Sequence, residues 1–332
     1  MKKFLIINTS YFGDTILTGS LCQNIKIEYP ASKVIFIANS PYCEAARYMK
    51  GVDEVWGYDK SGEHSGFAGF WRFYKEYKGK YDFDASFVIY GNQRNILLSK
   101  FLGAKKIYAD NNGMIRCLLN NRKIDYGERL HVQDRHGFLF ELHANKKTTS
   151  APIHYQPPQE AFLFSGQLFL SLGIDMEKAD LVAICTTTKH LEKNMEVDQC
   201  ADLIHGLRKM GKVPLLVGTG PIAESYAEKL LSLGCNDFID LTNKTTIAQL
   251  GAVIKSCSSV VSVDTGTLHF ALVLGVPVVA IFYINHKKNI NLWAPKSFYR
   301  HRLIADGDYS AQKMLQYVTE LDSEREKHIY ID

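Results

Sequence analysis

The stretch SVVSVDTGTLHFALVLGVPVVAIF, residues 259–282, decides the fold of this chain. Its two apolar runs, 259–263 and 278–282, predict β-strands, and the segment between them predicts a helix that ends at Gly275-Val276-Pro277. Strand, tight turn, helix and strand in this order are typical of one βαβ unit in a parallel sheet. We therefore expect the turn at 264–266 to lie at the carboxyl edge of that sheet.

The turn between the first of these strands and the helix is suited to a phosphorylated ligand. The first backbone N–H groups of a helix have no intrahelical partners, and the helix dipole favours negative charge there. Thr265 and Gly266 allow the backbone to approach a ligand closely, whereas Asp264 can accept hydrogen bonds from sugar hydroxyls. His269 lies one helical turn beyond Thr265 on the same face. The alternative is an ordinary βαβ unit in which Asp264 caps the helix and His269 is part of the core.

The composition predicts a globular protein of two domains. The chain has 332 residues, of which 46% are hydrophobic and 22% are charged, which is enough for two separate cores. Its net charge of +4 is compatible with anionic substrates or an anionic membrane surface, and no basic motif interleaved with aromatics indicates nucleic acid. Seven scattered cysteines without a CxxC pair predict a reduced, cytoplasmic protein. The start MKKFLII is too short for a signal peptide, and no apolar run is long enough to span a membrane.

Two series of short apolar runs alternate with segments of helical periodicity. The first series lies at 3–8, 34–38, 54–58 and 85–90, and the second at 181–185, 213–217, 237–241, 259–263 and 278–282. Each series predicts a parallel sheet covered by helices, which is an α/β architecture. The segment 146–159, with three prolines, is predicted to be the linker. We therefore expect two Rossmann-like domains, residues 1–155 and 156–332, and the last helical stretch, 310–320, is a candidate to return to the first.

The stretch DTGTLHFALVLGVPVVAIF resembles the signature of glycosyltransferase family 9, the bacterial ADP-heptose:lipopolysaccharide heptosyltransferases. A second stretch, TSYFGDTILT at 9–18, is similar to the LGDxxLT element of the family. Gly13 would allow a sharp turn between the first strand and its helix, and Asp14 would then lie in the first helical turn. The resemblance implies that Asp14 takes a proton from the attacking sugar hydroxyl. The alternative is that Asp14 only caps the helix or complements its dipole.

A threonine-rich segment follows the predicted strand at 181–185. Three threonines precede Lys189, and hydroxyls followed by a lysine at the end of a strand can bind a pyrophosphate and neutralise its charge. The family carries small hydroxyl residues and a lysine in this region, so the resemblance implies donor contacts for Thr187, Thr188 and Lys189. Many members have His-Pro-Gly here, so Lys193 stays an alternative to Lys189. A solvated polar loop is the remaining interpretation.

The segment VGTGPIAE supports a competing function. Gly218, Gly220 and Ala223 satisfy GxGxx[GA] after a predicted strand. Asp240 lies 20 residues beyond Gly220, which is the spacing of a dinucleotide-binding fingerprint. An NAD-dependent dehydrogenase would use these residues, although the fingerprint normally opens its domain. Family 9 has a similar glycine-containing turn whose acidic residue reaches the nucleoside, which implies that Glu224 binds adenosine or its ribose.

Acceptor contacts are expected in the first domain. Residues 81–108, YDFDASFVIYGNQRNILLSKFLGAKKIY, are similar to a third family pattern. Arg94 would meet a carboxylate or phosphate of the acceptor, or it would pair with a carboxylate at a helix end. No spacing of His, Cys and Asp is typical of a metal site. The candidate acceptor-binding residues are Gly13, Asn92, Arg94 and Arg135, with His131 and His136 as further candidates.

The resemblance covers about residues 3–300 and implies a metal-independent, inverting GT-B glycosyltransferase without a cofactor. GT-B describes two Rossmann-like domains that face each other across a cleft. The implied reaction moves heptose from ADP-L-glycero-D-manno-heptose to an inner-core lipopolysaccharide acceptor, on a cytoplasmic protein peripheral to the inner membrane. After Phe282 the usual Gly-Pro-Thr of the family is replaced by Tyr283-Ile284-Asn285, which leaves another nucleotide sugar as an alternative donor. A dehydrogenase and a non-catalytic nucleotide-sugar sensor are the alternatives from other classes.

Overall fold

Parallel strands alternate with helices through both halves of the chain. The structure is a computed structural model, and it describes residues 1–110, 113–121, 124–148, 152–282, 287–305 and 309–329. The chain divides into two units, Met1–Tyr155 and Gln156–Asp332. Each unit is built on one parallel sheet, as the two series of apolar runs predict.

The first unit has a five-stranded sheet in the order β3-β2-β1-β4-β5. Its central strand is apolar from Phe4 to Ile7, and these side chains are fully buried, as expected for a parallel strand covered on both faces. The strands are β1 Lys3–Asn8, β2 Lys33–Asn39, β3 Glu54–Tyr58, β4 Ala85–Val88 and β5 Ile107–Ala109. The helices are α1 Phe12–Leu17, α2 Gly19–Glu28, α3 Cys43–Arg47, α4 Gly66–Tyr77, α5 Gln93–Phe101 and α6 Val132–Ala144.

The second unit has a six-stranded sheet in the order β11-β10-β9-β6-β7-β8. The strands are β6 Asp180–Cys185, β7 Lys212–Leu216, β8 Ile239–Asp240, β9 Ser259–Val263, β10 Val278–Phe282 and β11 His301–Ala305. The helices are α7 Gln159–Ser171, α8 Val197–Lys209, α9 Pro221–Ser232, α10 Ile247–Lys255, α11 Gly266–Val273, α12 Lys287–Trp293 and α13 Ala311–Ile329. The strand–turn–helix–strand unit at 259–282 is thus confirmed, with β9, β10 and α11 all buried.

Both sheets share one topological feature that positions a site. In the first unit the chain proceeds outward from β1 to β2 and β3, and then continues on the other side of β1 with β4 and β5. The second unit repeats this arrangement, with β6, β7 and β8 on one side and β9, β10 and β11 on the other. The switch points lie between β1 and β4 and between β6 and β9. Ligands of open α/β sheets bind at the carboxyl ends of strands at such points.

The last residues before the boundary between the two units pack on the first unit. Ile153 and Tyr155 are buried, and Tyr155 forms a β-bridge with Met49 of the first unit. The Gln23 amide also donates a hydrogen bond to the Pro152 carbonyl oxygen at 2.7 Å. The boundary between the two units, after Tyr155, lies inside the predicted linker at 146–159, and residues 152–155 pack on the first unit.

Helix α13, which the sequence offered as a candidate to return to the first domain, is part of the second unit. There it packs against α8 and β11. All seven cysteines are free thiols. Within the described ranges, no helix combines the length and the apolar character that crossing a bilayer requires.

Candidate active site

In the first unit, a buried asparagine fixes the path of the chain after β1. Asn8 is fully buried, and its amide donates hydrogen bonds to the Asp14 carbonyl oxygen at 3.1 Å and to the Thr18 hydroxyl at 2.9 Å. Its side-chain oxygen accepts from the Ser10 N–H at 3.0 Å. These bonds turn the chain within residues 9–11 and start α1 directly at the end of the sheet.

Asp14 is the third residue of α1, and its carboxylate lies at the switch point. The Tyr90 hydroxyl donates to Oδ1 at 2.6 Å, and the backbone N–H of Tyr11, the N-cap residue of α1, donates to Oδ2 at 3.3 Å. Asp14 therefore satisfies the helix N-terminus, as the structural alternative in the sequence expects. It is also only partly buried, so a ligand can reach the same carboxylate.

Tyr90, which sequence reasoning did not single out, reaches Asp14 through an unusual backbone conformation. Its φ is 58°, in the left-handed region, and Gly91 follows with φ 44°. A Cβ on Gly91 would lie 1.9 Å from the Asp110 carbonyl oxygen, so only glycine fits there. A left-handed conformation costs a bulky residue roughly 1–2 kcal/mol. No local sequence signal marks an aromatic residue for this conformation.

Helix α6 supplies the neighbours of the Tyr90–Asp14 pair. The His136 ring lies edge-on to Tyr90, with 5.9 Å between centroids, and its Nδ1 is 3.4 Å from the Thr18 hydroxyl. Burial lowers the pKa of His136 to about 4, so this ring is neutral at pH 7. Arg135 donates from Nε to the Arg129 carbonyl oxygen at 3.1 Å, and its guanidinium lies 5.0 Å from the Tyr126 ring centre.

The other candidate acceptor residues of the first unit have structural partners. Gly13 is the second residue of α1 and has no positive φ, so the sharp turn after β1 lies before it. Asn92 caps α5 and accepts from the Asn95 N–H at 2.8 Å. Arg94 donates to the carbonyl oxygens of His64 at 2.6 Å and Gly66 at 2.7 Å. Among the described contacts, Arg94 thus binds carbonyl oxygens rather than a helix-end carboxylate, and acceptor binding by Gly13, Asn92 and Arg94 stays a prediction.

In the second unit, the loop after β6 folds back on itself. The Met195 N–H donates to the Thr186 carbonyl oxygen at 2.8 Å, and the Thr188 N–H donates to the Asn194 side-chain oxygen at 2.7 Å. Between these bonds the chain forms a short 3-10 turn at Leu191–Lys193. This turn places the Lys193 side chain at the carboxyl edge of the sheet, beside Asp264.

Lys193 and Asp264 form an ion pair across the second switch point. The Lys193 ammonium lies 2.6 Å from the Asp264 carboxylate, and the two side chains are 18% and 11% exposed. Asp264 follows β9, and its N–H continues the ladder to the Ile281 carbonyl oxygen at 3.0 Å. Thr265 is the N-cap of α11, and its side chain makes no capping hydrogen bond to this helix. A cation and a helix N-terminus therefore meet at one place, which suits an anion.

The donor contacts expected of Thr187, Thr188 and Lys189 stay predictions, and the structure shows where these residues lie. Lys189 is exposed, whereas Lys193 is mostly buried at Asp264. The Thr188 hydroxyl takes part in its own turn, since it donates to the His190 carbonyl oxygen at 3.0 Å and accepts from the His190 N–H at 2.8 Å. Thr187 is partly buried. The geometry thus favours Lys193 over Lys189 as the lysine of this site.

His269 lies inside α11 and is buried, 6.1 Å between ring centres from Trp293. Its burial agrees with the alternative that gave this histidine a place in the core. Gly266 and Thr265 begin the helix and are partly buried, so the backbone of the turn stays accessible from one side.

The glycine-containing turn after β7 is braced by Asn243. The Asn243 side chain accepts from the Gly220 N–H at 2.7 Å and donates to the Glu224 carboxylate at 2.5 Å. A Cβ on Gly218 would lie 2.8 Å from the Cβ of Ala223, so this glycine permits close packing of the turn on α9. Glu224 is exposed, and its expected contact with the nucleoside stays a prediction.

Comparison with known families decides the class of the protein. The sequence model of glycosyltransferase family 9 (heptosyltransferase) matches residues 70–313. This chain belongs to that family. It is therefore a glycosyltransferase. The resemblance of the DTGTLH stretch, which lies within the matched residues, is confirmed at the level of the family, whereas the FGDTILT stretch lies before residue 70 and its resemblance stays a prediction. Comparison with curated protein sequences finds no match.

Solved structures show the fold of this family 9 glycosyltransferase. A family 9 glycosyl transferase from Veillonella parvula superposes with a TM-score of 0.87 at 17% identity, over 97% of this chain and 98% of that one. ADP-heptose lipopolysaccharide heptosyltransferase II of E. coli gives 0.82 at 18% identity, over 98% and 100%. The E. coli heptosyltransferase WaaC with ADP gives 0.73 at 18% identity, over 96% and 99%. The chain accordingly has the expected GT-B fold.

Family membership removes the dehydrogenase alternative. The turn at Gly218 and Gly220 follows β7, which is one strand away from the switch point between β6 and β9, whereas a dinucleotide fingerprint follows the strand at the switch point. Among the side chains that the structure describes, His, Cys, Asp and Glu form no group of three able to hold a metal ion. The replaced stretch at 283–286 lies outside the described residues.

Proposed function

We propose that this glycosyltransferase transfers heptose from ADP-L-glycero-D-manno-heptose to an inner-core lipopolysaccharide acceptor or a related glycan, with inversion at the anomeric carbon. The observation that carries the proposal is the Lys193–Asp264 pair at the N-terminus of α11, with 2.6 Å between the charged atoms. It joins the means to bind a diphosphate with a carboxylate that can bind sugar hydroxyls. Solved structures of similar fold were determined with ADP and with ADP-2-deoxy-2-fluoro heptose, which supports an ADP-linked donor.

On the donor side, positive charge for the pyrophosphate comes from the protein. An ammonium group has three N–H donors, and the Asp264 carboxylate engages Lys193 with one contact at 2.6 Å. The remaining donors of Lys193 and the first N–H groups of α11 stabilise the charge that develops on the departing ADP. Thr187 and Glu224 are proposed to complete the donor site, at the pyrophosphate and the nucleoside respectively. No metal ion is required in this scheme.

On the acceptor side, Asp14 acts as the general base. Its carboxylate takes the proton of the acceptor hydroxyl while that oxygen attacks the anomeric carbon from the face opposite ADP. A single displacement of this kind inverts the anomer. Arg135, whose positive charge influences both Tyr90 and His136, is proposed to hold an anionic group of the acceptor. Such an acceptor carries lipid, so we propose that the reaction takes place at the inner face of the cytoplasmic membrane, with the protein bound peripherally.

A nucleotide-sugar panel tests this function. The thermal unfolding midpoint is measured with ADP-heptose, ADP-glucose, UDP-glucose and GDP-mannose, since a ligand at about 100 times its Kd adds roughly 2.7 kcal/mol of stability. We expect ADP-heptose to stabilise most, and the purified protein to transfer its heptose to heptose-deficient lipopolysaccharide. Stronger stabilisation by a UDP- or GDP-sugar would favour another donor. Donor binding without any product would favour the sensor.

A further inference from the structure

Tyr90 and Asp14 come from different loops, and the contact between them requires a specific backbone conformation. The Tyr90 hydroxyl lies 2.6 Å from Asp14 Oδ1, and residue 90 adopts a φ of 58° to place it there. The ring is half exposed, so burial of the tyrosine side chain in a core does not account for the strained conformation. Strained residues are concentrated where a side chain must be held in one position for function.

We propose that Tyr90 is a positioning residue, which orients the Asp14 carboxylate for proton abstraction through the hydrogen bond to Oδ1. This inference rests on the proposed function, because it takes Asp14 as the general base. A carboxylate on a short side chain rotates about its terminal bond unless an oxygen is fixed. A short bond from a neutral donor to a charged acceptor fixes one oxygen and holds the other in a defined direction.

The neighbourhood keeps the proton of Tyr90 in place. Although half of the Tyr90 side chain is exposed, loss of solvent around its hydroxyl, together with the adjacent charge of Asp14, raises the pKa of Tyr90, so the phenol remains a donor throughout the working pH range. His136 packs against the ring and is neutral, because burial lowers its pKa to about 4. The phenol therefore positions the base and does not replace it as the proton acceptor.

The proton balance of the reaction leaves Tyr90 unchanged. The O–H bond of the acceptor breaks and its proton passes to Asp14, while the acceptor oxygen forms a bond to the anomeric carbon. The bond from that carbon to the phosphate oxygen breaks, and its electron pair leaves with ADP. Tyr90 donates to Asp14 before and after this step, but a hydrogen bond to the charged form is the stronger one. Tyr90 therefore favours the return of Asp14 to the carboxylate form after product release.

Several other titratable or charged groups lie near the pair. Lys60 follows β3 and donates to the Thr9 carbonyl oxygen at 2.8 Å, beside the start of α1. The groups near Asp14 and Tyr90 are Tyr11, Tyr42, Tyr126, Arg135 and His136, with Lys60 beside Tyr11. They are the same in the wild type and in a Tyr90 variant, so a difference between the two reports the phenol.

The test is the Tyr90→Phe variant, with Tyr108→Phe as the matched control. Tyr108 is a buried tyrosine of β5 that stacks on Phe87. We expect Tyr90→Phe to lower kcat at least about tenfold, to leave the donor KM within twofold, and to move the acidic limb of the kcat/KM profile upward by about one pH unit. Tyr108→Phe should change none of these. A kcat within twofold of wild type, or a lower kcat with an unmoved acidic limb, would overturn the positioning role.

A second readout separates this inference from the proposed function. Wild-type protein without transfer activity would refute the function, and the Asp14–Tyr90 contact is then tested by carbon-13 NMR of carboxyl-labelled aspartate, with Asp14→Asn assigning the signal. The carboxyl titration midpoint should rise in Tyr90→Phe, and an unchanged midpoint would refute the inference. If the phenylalanine variant does not fold, Tyr90→Asn takes its place, because asparagine tolerates the left-handed conformation. The same outcomes apply to it.

Discussion

Replacing Lys193 with alanine is expected to weaken ADP binding about 10- to 100-fold. The ammonium lies 2.6 Å from the Asp264 carboxylate, and both side chains are largely shielded from water. A charge-assisted hydrogen bond in such a place contributes about 1.5–3 kcal/mol, and each 1.4 kcal/mol is a factor of ten in Kd. Turnover should fall by a similar factor, because the same ammonium stabilises the departing pyrophosphate.

The assay is calorimetric titration with ADP, followed by steady-state transfer kinetics. Lys189→Ala tests the register of the loop directly, since the sequence favours Lys189 and the geometry favours Lys193. Lys178→Ala is a control for the loss of a surface charge, because Lys178 is 84% exposed and pairs only with nearby Asp175. Equal thermal midpoints of the three variants without ligand would show that each is folded.

The outcome decides between two arrangements of the donor site. If Lys193→Ala binds ADP like the wild type while Lys189→Ala loses binding, the ion pair with Asp264 is structural and the reasoning from proximity is wrong. If both variants retain binding, neither lysine holds the pyrophosphate.

Three further predictions concern donor binding, the pH dependence of stability and the need for a metal ion. Asp264→Ala should impair donor binding more than His269→Ala does, as measured by calorimetry with ADP-heptose, because Asp264 lies at the turn and His269 is buried inside α11; equal losses would assign the effect to packing. Burial lowers the pKa of His136 to about 4, so as the pH falls the unfolded chain takes up a proton on this side chain before the folded chain does. The free energy of unfolding, measured with urea, should therefore decrease between about pH 6.5 and about pH 4, by about 3 kcal/mol at most. His136→Gln should flatten that part of the curve, and an unchanged slope would contradict the assignment. Transfer activity should survive excess EDTA, and inactivation that Mg²⁺ reverses would show that a metal carries the leaving group.

The strands and the two switch-point turns were predictable because their signals are local. The apolar runs at 259–263 and 278–282 and the DTG turn between them define a strand, a helix start and a second strand without reference to the rest of the chain. β5 and β11 were missed because Ile107–Ala109 is only three residues long and because His301–Ala305 contains polar residues of an edge strand. Edge and short strands depend on their neighbours, and sequence periodicity does not report those.

The details of the candidate site depended on tertiary contacts. Lys189 and Lys193 are the same residue type four positions apart in one polar loop. The short turn at Leu191–Lys193 determines which of them contacts Asp264. From the sequence alone, Arg94 is as well suited to bind an acceptor anion as to pair with a carboxylate of the protein. In the structure it donates hydrogen bonds to two backbone carbonyl oxygens. The sequence does not indicate a role for Tyr90, because that role depends on a left-handed φ and on a hydrogen-bond partner 76 residues away. Residue type indicated the chemistry, whereas contacts between loops determined the partners.

The most direct test of the account is heptose transfer by Asp14→Asn. Asparagine keeps the size of the side chain and an oxygen for the Tyr90 hydroxyl, but it cannot take up the acceptor proton. Product formation from ADP-heptose and heptose-deficient lipopolysaccharide is measured beside the Kd for ADP, which reports the donor site. We predict a loss of transfer of at least about 100-fold, the range for a general base, with the Kd within a few-fold of wild type. Transfer at the wild-type rate would remove Asp14 from the mechanism and contradict the assignment of the first switch point as the acceptor-activating site.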